Sequence, residues 1–210
     1  MSNVDVTALA NPLYIGNGTN RTKIDTDGTI TLEGGAVVYD DIQGVVNGAN
    51  LYTVAGKADF DFDEQCVVLQ SGGSITTNGD IVDMTLQLRH NAKLDAPISI
   101  HLHWEQTSTT TIQFTYKYRV QRNGQPKTTA WSSNVVVNTS TGGVNVFPYI
   151  SGTLNQISNL GDIPLTGAGL STVLQIKLAR TDSNGGNINV TFIDGHYQID
   201  ALGSNEQFEK

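Results

Sequence analysis

Strict alternation of apolar and polar residues in the segment 98–105 constrains the fold of this chain more than any other feature. The segment follows Pro97 and reads ISIHLHWE. Successive side chains of a β-strand point to opposite faces of its sheet, so this pattern predicts one buried and one polar face. The predicted buried face comprises Ile98, Ile100, Leu102 and Trp104, and the polar face comprises Ser99, His101, His103 and Glu105.

Similar alternation recurs along the chain, separated by glycine-rich turns. The chain has 22 glycines and only 15% charged residues, a composition typical of strands and turns rather than helices. We therefore predict an all-β fold, an antiparallel β-sandwich or jelly-roll-like domain; a trimeric β-prism has the same pattern. The predicted core includes Phe60, Leu86, Ile100, Leu102, Trp104, Phe114, Tyr116, Ile176 and Phe192.

The spacing of the strands also indicates how they pair. The strands at residues 82–88, 98–105 and 112–120 follow one another closely, which predicts an antiparallel meander. The strands at residues 174–178 and 188–192 are predicted to form a hairpin, because a short polar turn joins them.

Local signals mark several strand ends. The alternation breaks at Ile193-Asp194-Gly195, as a β-bulge would cause, and Asp40-Asp41 is predicted to begin a loop. Asp27-Gly28 predicts a tight hairpin turn before Ile30. Calcium-binding loops share this Asp-Gly start, but the further oxygen ligands they require do not follow, so we favour the turn.

The N-terminal residues have few apolar side chains and no sustained period. We predict an extended N-terminal arm over residues 1–21, ordered by a neighbouring molecule, and a single β-sandwich domain over residues 22–210. The start of the chain has neither a basic segment nor an apolar core typical of a secretory signal, and no apolar run reaches membrane-spanning length. We expect a soluble protein that is not exported by the Sec pathway.

Charge and cysteine content limit the classes of partner. The formal net charge is −8 and the pI is about 4.7, so we expect neither nucleic acid nor an anionic membrane as a partner. The single cysteine, Cys66, excludes an intrachain disulfide and a cysteine-based zinc site.

Two groups of residues are candidates for a metal site. His101 and His103 share a strand face about 7 Å apart, a spacing known for zinc ligands, but His90 and His196 have no recognisable spacing to this pair. A polar strand face at a subunit contact explains the same residues, and we predict no bound transition metal and no cofactor. A second group, Asp59, Asp61 and Asp63, could hold a cation, or form an acidic edge that prevents aggregation, which we favour.

No motif of nucleophilic, phosphate-binding or zinc-dependent catalysis occurs in the sequence. Acidic residues are numerous enough for a glycosidase pair, but nothing selects one. We predict no catalytic residues and a protein that is not an enzyme.

The chain resembles a group of tailed-bacteriophage virion proteins encoded among head and tail structural genes. The resemblance runs from about residue 30 to Glu206 and is carried by GGAVVYDD at residues 34–41, LYTVAGK at 51–57, IHLHWEQ at 100–106, YRVQRNGQ at 118–125 and LARTDS at 178–183.

The resemblance implies a non-enzymatic virion component made in the host cytoplasm, either a capsid decoration or a tail-associated protein. Its expected partners are other copies of itself, in a trimer, and other virion proteins. The alternative is a carbohydrate-binding β-sandwich that recognises a host surface, for which Trp131 and Tyr149 are the aromatic candidates free of the predicted core.

Overall fold

The computed structural model describes residues 11–45, 59–61, 66–75, 81–106, 111–139, 146–147, 154–167, 169 and 171–199. These residues form fourteen strands, all paired antiparallel, in three sheets. No helix long and apolar enough to cross a membrane occurs in this part of the chain. The predicted all-β antiparallel sandwich is confirmed.

The largest sheet has seven strands. Across the sheet, six of them run in the order β11 (Val146–Phe147), β12 (Leu154–Ile163), β8 (Ile98–Gln106), β14 (Ile188–Ile199), β6 (Cys66–Leu69) and β5 (Asp59–Asp61). The seventh, β4 (Val38–Val45), pairs with the C-terminal part of β14. Asp40-Asp41 therefore lies within a strand, and the predicted loop is wrong because pairing with β14 continues through both residues.

The other two sheets are smaller. One has four strands in the order β10 (Val135–Thr139), β9 (Ile112–Gln121), β13 (Val173–Arg180) and β7 (Ile81–Gln87). The other has three strands in the order β1 (Leu13–Asn17), β2 (Asn20–Ile24) and β3 (Ile30–Glu33).

The core lies between the seven-stranded and four-stranded sheets. Trp104 of β8 packs edge-to-face on Phe114 of β9, with ring centroids 5.5 Å apart. Tyr116 of β9 is buried, and its hydroxyl donates a hydrogen bond to the carbonyl of Leu160 in β12. The burial predicted for seven core residues is confirmed, namely Leu86, Ile100, Leu102, Trp104, Phe114, Tyr116 and Ile176.

Two of the predicted core residues have a different outcome. The side chain of Phe60 lies outside the described residues. Phe192 is only partly buried, and its ring stacks on His103 at the outer face of the sheet. Its predicted burial is wrong because a β-bulge changes the direction of the side chains just before it.

The predicted meander and the predicted hairpin of the strands at residues 174–178 and 188–192 are also wrong. β7 and β9 lie in the four-stranded sheet, whereas β8, between them in sequence, lies in the seven-stranded sheet. β13 and β14 are divided between the two sheets in the same way. Alternation specifies which face of a strand is buried but not which strand lies beside it, and crossing between sheets covers both buried faces equally well.

Residues 13–33 form a three-stranded sheet that spans the boundary predicted after residue 21. β1 and β2 form a hairpin that closes at Asn17 and Asn20, and β2 continues across the predicted boundary after residue 21. β2 pairs with β3 through the predicted Asp27-Gly28 turn, where Gly28 has a φ of 88°. The arm of residues 1–21 and the domain of residues 22–210 stay predictions.

Candidate functional site

Strand pairing gathers polar residues of the seven-stranded sheet on its outer face. In the register between β8 and β14, Asp194 is directly opposite His101, and His196 is directly opposite Ser99. On the other side of β14, His196 is opposite Asp41 of β4. Three strands that are distant in sequence thus contribute to one surface patch.

A β-bulge in β14 places two of these residues on the outer face. The register between β14 and β8 shifts between Val190 and Phe192, with Thr191 as the extra residue. Before the bulge the even-numbered residues face the core, and after it the odd-numbered residues do. The predicted bulge therefore exists, but its extra residue, Thr191, lies two residues earlier than Ile193.

The residue between Asp194 and His196 is a glycine that packs closely against the core. A Cβ atom on Gly195 would lie 2.4 Å from Cδ1 of Ile98, which is fully buried. Gly195 therefore faces inward where there is no room for a larger side chain, and its two neighbours face outward.

We use the name His–Asp cluster for His101, His103, Asp194, His196 and Asp41. Nε2 of His103 lies 3.4 Å and Nε2 of His196 lies 3.2 Å from Oδ2 of Asp194. Nδ1 of His101 lies 4.0 Å from the other oxygen, Oδ1. Nε2 of His196 is also 3.3 Å from Oδ1 of Asp41. A single carboxylate thus lies at the centre of three imidazoles.

The imidazole rings are held by contacts with one another and with an aromatic neighbour. The rings of His101 and His196 have centroids 4.1 Å apart, and their planes are tilted by 59°. The ring of His103 stacks on Phe192 with a centroid distance of 3.9 Å and an angle of 20°. These contacts limit the rotation of the side chains.

Burial and neighbouring charges determine the protonation of the cluster. The pKa of His101 is lowered, chiefly by burial and then by the nearby His196, against the opposing effect of Asp194. Burial by itself would raise the pKa of Asp194, but the hydrogen bond from His103 and the charges of the three histidines lower it. Near neutral pH, we expect an ionised Asp194 beside a neutral His101.

The remaining candidate residues lie outside the cluster. Glu105 is on the same face as His103 but two residues further along β8, where it is paired with Asn189. Ser99 donates its hydroxyl hydrogen bond to Asp162 rather than to His196. His90 lies elsewhere, with Nε2 3.3 Å from the hydroxyl of Ser171. The side chains of Asp59, Asp61 and Asp63 lie outside the described residues.

The spacing of residues in the sequence did not predict the link between the two halves of the cluster. His196 has no characteristic spacing to His101 because the link is made by strand pairing. One signal was present, since His101-x-His103 and Asp194-x-His196 both space potential ligands two residues apart, the period that puts them on one face of a strand.

The chemistry open to the cluster is hydrogen bonding or cation binding. One ligand atom from each of His101, Asp194 and His196 lies within 4.8 Å of the others. The only other side chain of the cluster with an ionisable oxygen is that of Asp41, and neither hydroxyl nor thiol belongs to it. The cluster therefore has no nucleophile of the serine or cysteine type.

Two other surfaces expose apolar or aromatic groups. Leu13, Tyr14 and Ile15 of β1 are 38%, 45% and 57% exposed, and in the three-stranded sheet β1 pairs only with β2. On the outer face of the four-stranded sheet, the half-buried ring of Trp131 lies 4.6 Å from the guanidinium of Arg119 and 4.9 Å from Nζ of Lys177.

No protein-family model and no curated protein matches the chain. Among solved structures, it is similar to the CBM27-1 module of Caldicellulosiruptor saccharolyticus in complex with mannohexaose, with 12% identity and a TM-score of 0.37, over 74% of this chain and 96% of that one. It is also similar to the exo-beta-1,3-galactanase of Phanerochaete chrysosporium with galactose, with 14% identity and a TM-score of 0.30, over 83% of this chain and 32% of that one.

Proposed function

We propose that this protein is a non-enzymatic structural component of a tailed-phage virion, which associates with copies of itself and docks on other virion proteins. The observation that carries the proposal is the edge strand β1, whose apolar side chains are exposed to solvent on both faces. An open strand edge is a ready site for pairing with another chain. In a symmetric assembly the same strand is available on every copy.

Where the structure describes them, the stretches that resemble phage virion proteins contribute to the β-sandwich itself. Residues 100–106 contribute buried residues of β8, and residues 118–125 run from β9 into its turn. In the stretch 178–183, the fully buried Arg180 pairs with Asp182. These contributions to the packing of the sandwich support a structural role.

The test is assembly of the untagged chain with a single charge placed in β1. Ile15→Asp should convert a trimer to a monomer in light scattering, because a buried carboxylate in an apolar contact is costly. Val136→Asp is the matched control, since Val136 of β10 is 53% exposed and in an edge strand too. It should leave the trimer intact.

A second measurement tests whether the chain is a component of virions. Purified particles should contain the chain in a fixed ratio to the major capsid protein or the tail protein, and a reconstruction should place it on the outside. A wild-type protein that is strictly monomeric at high concentration and absent from purified particles would overturn the proposal.

Carbohydrate binding is the second candidate, favoured by the surroundings of Trp131. Its ring lies beside Arg119, whose Nε donates a hydrogen bond to Oε1 of Gln175 at 2.6 Å. An aromatic ring next to hydrogen-bonding side chains can act as a platform for a sugar. Titration with a panel of oligosaccharides tests this function, and binding that is lost in Trp131→Ala would favour it over a purely structural role.

A further inference from the structure

We propose that His101, Asp194 and His196 bind a divalent transition-metal ion of the zinc class, with a fourth position open to solvent. Two imidazole nitrogens and one carboxylate oxygen are a ligand set that suits zinc. Calcium and magnesium prefer oxygen ligands alone, so the two histidines argue against them.

The distances in the cluster fit a tetrahedral ion. Zinc bonds of about 2.0–2.1 Å place neighbouring ligand atoms of a tetrahedron roughly 3.3 Å apart. Nε2 of His196 lies 3.2 Å from Oδ2 of Asp194, Nδ1 of His101 lies 4.0 Å from Oδ1, and one ligand atom from each of the three residues lies within 4.8 Å of the others. Small movements of two partly exposed histidine side chains therefore complete the site without a change of backbone.

An independent observation is the buried carboxylate oxygen at the centre of the cluster. The side chain of Asp194 is only 7% exposed, and its Oδ1 atom accepts no hydrogen bond from the described part of the chain. A buried anionic oxygen without a donor is destabilising, and a metal ion beside it would remove this cost. The atom lies on the side of the carboxylate that faces His101.

Neighbouring residues hold the ligands in place. His103 contacts Oδ2 of Asp194 at 3.4 Å and is itself stacked on Phe192. A supporting contact of this kind orients a metal ligand and strengthens its binding. Oδ1 of Asp41 lies 3.3 Å from Nε2 of His196, the same nitrogen that faces Asp194, so this contact is exchanged for the ion when the ion binds.

From the sequence we expected no transition metal, because the sequence shows no third ligand at a recognisable spacing from His101 and His103. The pairing of β8 with β14 supplies that ligand. A bound ion would join these two central strands to each other, so we expect it to stabilise the folded chain. The inference does not depend on the virion role, because binding can be measured on the isolated protein.

The first experiment uses the full chain without a histidine tag, treated with a chelator and then titrated with Zn²⁺ and with Co²⁺. We expect one ion per chain, a visible absorption band of Co²⁺ typical of tetrahedral coordination, and an increase in Tm. At Zn²⁺ concentrations 100-fold above the Kd, the Tm should rise by about 5–10 °C.

The second experiment compares variants of three of the four histidines. His101→Gln and His196→Gln should each weaken Zn²⁺ binding by more than about 100-fold, the upper range seen for loss of a supporting contact alone. His90→Gln is the matched control, because His90 lies outside the cluster, and it should bind as the wild type does. Far-ultraviolet circular dichroism identifies any variant that does not fold.

Asp194→Asn gives a second readout, since it keeps the size of the side chain and removes its charge. It should lose both the Co²⁺ band and the Zn²⁺-dependent rise in Tm. The inference is overturned if the wild type binds less than one ion per chain, if His90→Gln weakens binding as much as His196→Gln does, or if folded variants of both ligand histidines bind normally.

Discussion

The guanidinium of Arg180 and the carboxylate of Asp182 form two parallel hydrogen bonds, each 3.0 Å long, at a position where Arg180 has no exposure to solvent. Two further N–H groups of Arg180 donate to the carbonyls of Asn184 and Gly186. Asp182 also accepts hydrogen bonds from the backbone N–H groups of Gln113 and Asn184. The pair therefore ties the loop between β13 and β14 to the sandwich.

Removal of the charge of Asp182 should destabilise the protein strongly. Asp182→Asn leaves the buried Arg180 without its counter-charge, and loss of one partner of a buried ion pair costs about 3–5 kcal/mol. Urea unfolding measures the change. Ser183→Ala, an exposed position in the same loop, should change stability by less than about 0.5 kcal/mol. Equal stability of Asp182→Asn and the wild type would contradict this account.

The same carboxylate should make stability depend on pH in the acid range. Burial would raise the pKa of Asp182, but the hydrogen bonds from Arg180 and from the two backbone N–H groups outweigh it and lower the pKa below 3.8. A folded-state pKa below the unfolded one means that the stabilisation is present above pH 3.8 and is lost as the pH falls through the folded value. Between pH 2 and 5, the free energy of unfolding should depend less on pH in Asp182→Asn than in the wild type, which urea unfolding at each pH measures.

Tyr197 should make the stability of the protein fall as the pH rises in the alkaline range. Its buried hydroxyl lies 3.0 Å from Oδ2 of Asp40 and 3.1 Å from Oδ1 of Asn91, and burial together with Asp40 raises its pKa to about 12. Because the unfolded value is near 10, its contribution to stability is complete below pH 10 and is lost as the pH rises through 12. Tyr197→Phe should remove this part of the pH profile, and an unchanged slope would show that another group is responsible.

The two tryptophans should differ in their contribution to stability. Trp104 is buried between the sheets, so Trp104→Ala should cost about 3–5 kcal/mol. Trp131 is half-buried and is held by cation–π contacts, so Trp131→Ala should cost only about 1 kcal/mol. Chemical unfolding of both variants measures the difference. Similar costs for the two would mean that Trp131 belongs to the core.

A chain that begins at Ala36 tests the role of the three-stranded sheet. No described residue before Ile42 contributes a buried side chain to the hydrophobic core. The shortened protein should therefore keep its Tm within a few degrees of the full chain but lose self-association, because β1 is missing. If it unfolds instead, the small sheet is part of the folding unit; if it still forms trimers, the contact lies elsewhere.

The sequence predicted correctly those features of the fold that depend on interactions between residues close together in the chain. Ile100, Leu102 and Trp104 are buried and His101 and His103 face outward, as the two-residue period requires. The turn at Asp27-Gly28 forms because glycine accepts the positive φ that the turn needs. These features depend on side-chain direction and backbone sterics within a few residues.

The functional cluster could not be predicted in the same way. By itself, the sequence determined that the chain forms half-buried strands, which face of β8 is polar, and most of the predicted core. Only the tertiary structure decided that β8 lies beside β14, and only the bulge at Thr191 turned Asp194 and His196 outward toward His101. The physical reason is that many strand orders bury the same apolar faces, so the pairing that unites the cluster depends on the packing of the whole sandwich.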